Sequence, residues 1–269
     1  MAMRIAVLSA AVIALAGFLA GAGHVGNSSV AAAADGVFGS PTLVSPHSPA
    51  FGIWAVIYLG IFGYAVWQAL PAQADSARLR YVRPLTVAAI LLNATWLAVV
   101  LMGHVLLSVL VVAALFTVLV ALTVRLAELC PETRTERVLV DGTFGLYLGW
   151  ICLTVFANVA VWLSSMGVSA GATAWSVIVL TAAGAAGVAL ILLTGSRIAV
   201  AFGLIWALSW IAYGRMAGEA PNTASAIAAA CAAFVVMGAG FLKVVPGHSY
   251  PRLRMWSAGR GGHDVASQR

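Results

Sequence analysis

Hydrophobic runs of about 20 residues, separated by short polar or proline-containing segments, dominate this chain. Residues 144–163 are the clearest run: they carry no charge and have the length at which an α-helix crosses about 30 Å of hydrocarbon. The same pattern predicts eight membrane-spanning helices. They cover residues 5–20, 51–70, 84–102, 105–124, 144–163, 174–193, 198–216 and 224–245.

The first hydrophobic run, residues 5–20, allows two interpretations. It is either a retained first helix or the apolar region of a signal peptide cleaved among the small residues 31–34. The run is a little long for a signal peptide, so we favour a retained helix. Residues 21–49 then form a long Gly-, Ser-, Ala- and Pro-containing loop, which would be mobile or would act as a lid.

The distribution of Lys and Arg predicts the topology. Eight spans place both termini on one side, and the positive-inside rule puts that side in the cytoplasm. Of the 14 basic residues, 13 then lie inside and Arg215 alone lies outside. We call the Arg215 side, which also carries the turn at Gly103 and His104, the outer end of the bundle. Residues 246–269 form a basic cytoplasmic tail.

Composition excludes a soluble domain. Apolar residues make up 62% of the 269 residues and charged residues 8%, against about 25% charged residues in soluble domains. The chain is therefore predicted to be an all-α integral protein of a lipid bilayer. The net charge of +6 does not indicate a nucleic-acid partner, because the basic residues mark segment ends and form no groove with interleaved aromatics. The three cysteines form no CxxC motif or evident pair.

The positions of the charges also limit the chemistry. No Asp, Glu, Lys or Arg lies in the middle of a predicted span, where ion-coupled carriers and proton pumps usually have one. Asp141 and Arg197 are interpreted as markers of span ends. Hydrolase and phosphate-binding motifs are missing, so no catalytic residue is predicted. His24 and His47 are a weak candidate pair for a metal or haem iron, and no metal site is predicted.

Aromatic and amide side chains recur at helical spacing in three predicted spans. They are Trp54 and Tyr58 in the second span, Asn93 and Trp96 in the third, and Tyr147, Trp150, Thr154 and Asn158 in the fifth. Such side chains could be ordinary helix-packing contacts, which the spacing alone favours. Alternatively they could line a cleft for a flat, largely apolar ligand, with rings for stacking and amides for orientation.

These motifs together resemble the TspO/MBR family, the tryptophan-rich sensory proteins. The pattern Asn-x-x-Trp at Asn93 and Trp96 is similar to the family's third helix. The pattern Tyr-x-x-Trp at Tyr147 and Trp150, followed eight residues later by Asn158, is similar to the fifth. The segment SPAFGIWAVIY resembles the start of the second. The resemblance covers residues 1–165, the five-helix unit of the family.

The resemblance implies a function. Family members bind porphyrins and sterol-like ligands in a pocket that the first loop closes. By resemblance, that pocket would be lined by Trp54, Tyr58, Asn93, Trp96, Tyr147, Trp150 and Asn158. This favours a receptor or carrier for a planar hydrophobic ligand, with haem or another porphyrin as ligand and not as resident cofactor. The alternatives are a small-molecule membrane transporter and an intramembrane enzyme acting on tetrapyrroles.

Two features depart from the five-helix pattern. The Trp-x-Pro-Pro motif of the first loop is missing, and the loop ends SPHSPAFGIW. Residues 166–245 add three spans and resemble the C-terminal extension of larger bacterial relatives, which predicts an eight-helix bundle in a bacterial cytoplasmic membrane. These spans would cover the dimer surface of shorter relatives, favouring a monomer over a homodimer. Small residues in them predict close helix packing. They include Gly184, Gly187, Gly238 and Gly240.

Overall fold

Eight long helices form one bundle in the computed structural model, which describes residues 1–24, 42–129, 131–168, 171–194, 197–218 and 221–242. Most of the predicted lid loop and the basic tail lie outside the described residues. The helices are α1 (Ala2–His24), α2 (Ile53–Ala69), α3 (Ala77–Leu101), α4 (Val105–Glu128), α5 (Thr143–Ser165), α6 (Ala172–Leu193), α7 (Arg197–Ala217) and α8 (Thr223–Phe241). The predicted all-α, eight-helix fold is confirmed.

Seven of these helices, α2 to α8, are long and apolar enough to cross a membrane. The apolar part of α1, Ala2–Gly17, is shorter than each of these seven helices. The integral multi-pass character of the protein therefore stands, while an eighth crossing by α1 stays a prediction. The side of the membrane that each end faces also stays a prediction.

The third helix begins earlier than the prolines suggested. The predicted third span, residues 84–102, begins at Pro84, but α3 starts at Ala77 and Pro84 lies inside it. The side chain of Ser76 accepts a hydrogen bond from the Leu79 amide at 3.4 Å and so caps the helix start. The turn before Pro84 is retained because its side chains, including Arg78 and Leu79, are buried against neighbouring helices.

Arg78 joins three parts of the inner end. Its guanidinium donates to Glu136 at 2.9 Å and to Asp141 at 2.6 Å, both through buried contacts. It also donates to the carbonyl oxygens of Leu126 and Leu129 at the end of α4. Asp141 lies in a π-helical turn, Arg137–Gly142, that leads into α5. The carboxylate thus does more than mark the end of a span: it fixes the start of α5 to α3.

Two further arginines bind helix ends on the same side. Arg4 of α1 donates to the carbonyl oxygens of Ala69 and Leu70 at the C-terminus of α2. Arg83 of α3 donates to the side chain of Gln68 at 3.0 Å and to the carbonyl oxygen of Gln73 at 2.8 Å. A cation at a helix C-terminus supplies donors to carbonyls that lack intrahelical partners. These contacts hold α1, α2 and α3 together.

The closest approach between helices joins α5 to α7. A Cβ on Gly149 would overlap the carbonyl oxygen of Val200, and one on Gly203 would overlap the carbonyl oxygen of Leu146. The two backbones are therefore in direct contact. Close contact of this kind stabilises helix pairs in lipid, because burial of apolar surface drives little association there.

Three of the four glycines expected to bring the C-terminal helices together do so. Gly184 of α6 lies against Ala232 of α8, where an added Cβ would be 3.0 Å away. Gly187 of α6 lies against Leu204 of α7, and Gly240 of α8 lies against Ala201 of α7. An added Cβ on Gly238 would meet nothing within 4 Å, so the expectation is wrong at that position.

We expect Gly149→Ala to destabilise the protein because its methyl group would clash with the α7 backbone. Overpacking of this kind costs about 1–3 kcal/mol. Gly238→Ala is the matched control, since it adds the same methyl group in open space. Thermal unfolding of both variants in detergent measures the difference. Equal melting temperatures for Gly149→Ala and the unmodified protein would contradict the backbone contact.

Removal of the Arg78 guanidinium should be more damaging. Arg78→Met leaves Glu136 and Asp141 buried without their cation, and loss of one partner in a buried ion pair costs about 3–5 kcal/mol. Arg125→Met provides the control, because the contact of Arg125 with Glu128 is exposed. Yields of folded protein and melting temperatures compare the two variants. A similar small effect in both would argue against the inner-end clamp.

Candidate functional site

Trp54 is the centre of a buried aromatic cluster near the outer half of the bundle. Its ring centroid lies 5.7 Å from that of Tyr58, 6.5 Å from Trp96, 5.8 Å from Tyr147 and 6.2 Å from Trp150. Trp54 and Tyr58 lie on α2, and Trp96 lies on α3. Tyr147 and Trp150 lie on α5. Edge-to-face and offset arrangements at these distances are favourable for aromatic rings.

Asn158 is tied into this cluster by hydrogen bonds. Its side-chain oxygen accepts from Trp96 Nε1 at 3.3 Å and from Ser108 Oγ at 3.1 Å. Its amide nitrogen donates to the carbonyl oxygen of Thr154 at 2.8 Å within α5. Asn158 therefore links α3, α4 and α5, as the helix-packing interpretation of a membrane Asn expects.

Asn93 makes a further polar contact within the cluster. Its amide nitrogen donates to the Tyr58 hydroxyl at 2.9 Å. All seven residues predicted to line a pocket are thus connected in one network of rings and hydrogen bonds. Their role as ligand contacts stays a prediction, because the geometry by itself also suits helix packing.

Three buried polar atoms in the cluster have no hydrogen-bond partner within the described residues. They are the Asn93 side-chain oxygen, the Tyr147 hydroxyl and the Trp150 indole nitrogen. Tyr147 and Trp150 are 1% and 2% exposed, so lipid and bulk water do not reach them freely. A buried polar group without a partner costs about 1–3 kcal/mol, and native proteins contain few of them. Three such atoms therefore lie together in this one cluster.

Sequence reasoning missed two members of the site. Phe51 packs edge-to-face on Trp150 with centroids 5.7 Å apart. Ser108 of α4 bonds to Asn158 from a fully buried position. A signal for Ser108 exists in the sequence, since it begins the buried stripe that continues with Val112, Leu115 and Leu119. A polar residue at the head of an apolar stripe indicates a buried partner.

The helix α7 braces the segment that precedes α2. Trp206 donates from its indole nitrogen to the carbonyl oxygen of Ala50 at 2.8 Å. His47, in the same segment, lies with its ring centroid 6.2 Å from Trp210 and 5.6 Å from Tyr213. The segment is thus held between Trp150 of α5, which contacts Phe51, and the aromatic side chains of α7. Part of the predicted lid therefore rests on a helix outside the five-helix unit.

The candidate histidine pair is only partly described. His47 lies among the aromatic side chains of α7, whereas the side chain of His24 lies outside the described residues. No group of three or more His, Cys, Asp or Glu residues that could hold a metal occurs in the described ranges. The described cysteines are Cys152, which is buried, and Cys231, which is exposed.

A protein-family model described as TSPO-like protein matches residues 3–241. The chain belongs to the TSPO-like protein family. The match extends from the first turn of α1 to the last residue of α8, so it includes the three C-terminal helices of this TSPO-like protein. Comparisons with curated proteins and with solved structures find no match. Family membership and the buried aromatic cluster together fit a ligand-binding membrane protein.

We expect Trp206→Phe to loosen the segment 48–52. The substitution keeps an aromatic ring but removes the donor to Ala50, a hydrogen bond of the kind that contributes about 0.5–1.5 kcal/mol. Hydrogen–deuterium exchange of the segment's amides should therefore accelerate by about threefold to tenfold. Trp162→Phe, at the outer end of α5, is the control. Identical exchange in both variants would show that α7 does not brace the segment.

Proposed function

We propose that this TSPO-like protein is a membrane receptor or carrier that binds a planar, largely hydrophobic ligand among the rings around Trp54. The ligand class is a porphyrin or a sterol-like molecule, and the role is binding without chemical conversion. The observation that carries the proposal is the set of three buried polar atoms without partners amid aromatic walls.

The chemistry of these three atoms favours one ligand class over the other. The Trp150 indole nitrogen is a donor, the Asn93 oxygen is an acceptor, and the Tyr147 hydroxyl can be either. A ligand that satisfies all of them must offer both acceptors and donors along a flat apolar body. A natural porphyrin carries several carboxyl groups at its edge, which accept hydrogen bonds and, when protonated, donate them, whereas a sterol has a single hydroxyl at one end. The site therefore supports a porphyrin ahead of a sterol.

The position of the cluster supports reversible entry. Trp54 lies at the first turn of α2, directly after the segment 48–52 that Trp206 holds. A ligand that passes this segment meets Phe51 and Trp150 before the deeper Tyr147. We infer that the 48–52 segment controls access from the outer end.

Porphyrin titration of the purified protein tests this proposal. Binding is followed through the absorbance of the porphyrin, so that removal of a tryptophan does not remove the signal. We expect Trp150→Leu and Asn93→Leu each to weaken binding by about tenfold, equivalent to about 1.4 kcal/mol. Trp67→Leu, a tryptophan of the inner half of α2, is the control and should bind as the unmodified protein does.

Two results would overturn the proposal. One is unchanged porphyrin affinity in both site variants, which would place any binding elsewhere. The other is no binding by the unmodified protein. A sterol competitor added to the same titration ranks the two ligand classes, and full displacement by the sterol would reverse the preference for a porphyrin.

A further inference from the structure

Arg215 differs from the other deeply buried arginines. Arg78 and Arg83, at the inner end, donate to carboxylates, an amide and backbone carbonyls. Arg215, at the end of α7, is 6% exposed, and its Nε and Nη1 atoms have no hydrogen-bond partner within the described residues. A buried guanidinium whose donors lack acceptors is costly, because it has lost the hydrogen bonds that water would give it.

Helix register shows which way Arg215 faces. Leu204, Leu208 and Ile211 are fully buried and, with Arg215, lie at spacings of four, three and four residues on one face of α7. Leu204 contacts Gly187 of the antiparallel α6. Eleven residues, about three turns, separate Leu204 from Arg215. The same count back along α6 from Gly187 reaches Ser176, so Arg215 and Ser176 lie at one level of the bundle.

A buried polar cluster lies at that level. Ser176 is 4% exposed and shares a hydrogen bond of 2.6 Å with the fully buried Ser225 of α8. Asn222 accepts from the Ser225 amide and donates from its side chain to Thr173. The backbone amide of Asn222 donates to the carbonyl oxygen of Arg215 at 2.8 Å, which joins the end of α7 to the start of α8.

Arg215 is the charged side chain that the structure describes at this level, where the partial negative charge of the α7 C-terminus is opposed by two helix N-termini. Both α6 and α8 begin here, and helix N-termini carry a partial positive charge that favours anions. The carboxylates that the structure describes lie at the other end of the bundle, between Asp75 and Asp141 in the sequence. Asp35, Glu219 and Asp264 lie outside the described residues. Arg215 and two helix N-termini therefore lie at one level without a carboxylate among the described residues there.

Ser176 also lines a cavity of about 230 Å³. The cavity lies between the outer ends of α5 and α6, beneath residues 42–44, and most of its wall is apolar. Its lining includes Leu43, Val44, Ala160, Leu163 and Val179. Ser176 belongs both to this apolar cavity and to the polar cluster at the level of Arg215, and the two together suit a molecule with an anionic head and a hydrocarbon tail.

We propose that the outer ends of α6, α7 and α8 form a second binding site, which takes an anionic amphiphile. Arg215 binds the carboxylate or phosphate oxygens at the level of Ser176 and Ser225, and the tail enters the cavity lined by Leu43 and Leu163. A fatty acid and the headgroup of an anionic phospholipid offer this same chemistry. The site does not depend on the aromatic cluster around Trp54.

The full-length protein in an uncharged detergent tests this site with dodecanoate as the probe, followed by native mass spectrometry. We expect dodecanoate to bind the unmodified protein and its methyl ester not to bind. Arg215→Gln should weaken dodecanoate binding at least tenfold. Arg215→Lys keeps the charge but not the planar donor fork, so it should give an intermediate loss and covers the case in which Arg215→Gln does not fold.

Matched controls separate this site from other effects. Arg80→Gln removes an exposed arginine of α3 and should leave dodecanoate binding unchanged. Porphyrin binding should be unaffected by Arg215→Gln, so failure of one site is distinguishable from failure of the other. Competition by phosphatidylglycerol would identify a lipid headgroup as the source of the anion, and its failure would identify a free amphiphile.

Three outcomes would overturn the second site. They are equal dodecanoate affinity in the unmodified protein and the Arg215 variants, equal binding of the uncharged methyl ester, and no dodecanoate binding by the unmodified protein. Gain of dodecanoate binding in Glu219→Gln alone would also overturn it, because Arg215 would then have an internal carboxylate as its partner.

Discussion

At Gly149 and Gly203 the backbones of α5 and α7 touch with no side chain between them. In lipid this close packing is a main source of helix association, since apolar burial contributes little. The contact fixes the position of α7 beside the aromatic cluster. Trp150 follows Gly149 directly and faces Phe51, while Trp206, one turn beyond Gly203, reaches Ala50. This one contact between two helix backbones therefore positions Trp150 and Trp206, which contact the segment before α2 from two helices.

The arginines of the inner end serve two physical purposes. Their bias in sequence predicts orientation, because positive charges remain on the cytoplasmic side. In the structure, Arg4, Arg78 and Arg83 also supply donors to backbone carbonyls at or near the ends of α2 and α4. Backbone groups without partners are costly near hydrocarbon, so these contacts stabilise the bundle while they mark its topology. Arg215 is the basic residue that the predicted topology places at the outer end, and its Nε and Nη1 atoms have no hydrogen-bond partner within the described residues.

Helical periodicity was sufficient to place the aromatic cluster. The three- and four-residue spacings of Trp54, Asn93 and Trp150 with their neighbours put each set on one helix face, and all of these faces meet. Spacing does not show which atoms pair across helices, so the hydrogen bond from Ser108 to Asn158 could not be predicted from it. The predicted start of the third span at Pro84 is wrong, because burial of the preceding turn outweighs the hydrogen bond that proline removes. The hydrogen bond from Trp206 to Ala50 could not be predicted from spacing, because it joins residues 156 positions apart in the sequence.

That separation has a consequence for biosynthesis. A chain inserted from its N-terminus places α2 and α3 in the membrane well before the ribosome has made Trp206. The carbonyl oxygen of Ala50 therefore cannot accept a hydrogen bond from the Trp206 indole until α7 has been inserted and packed against the other helices. Until then the segment before α2 lacks the hydrogen bond that braces it against α7, so the last part of the outer end to become ordered is set by a helix made late in synthesis.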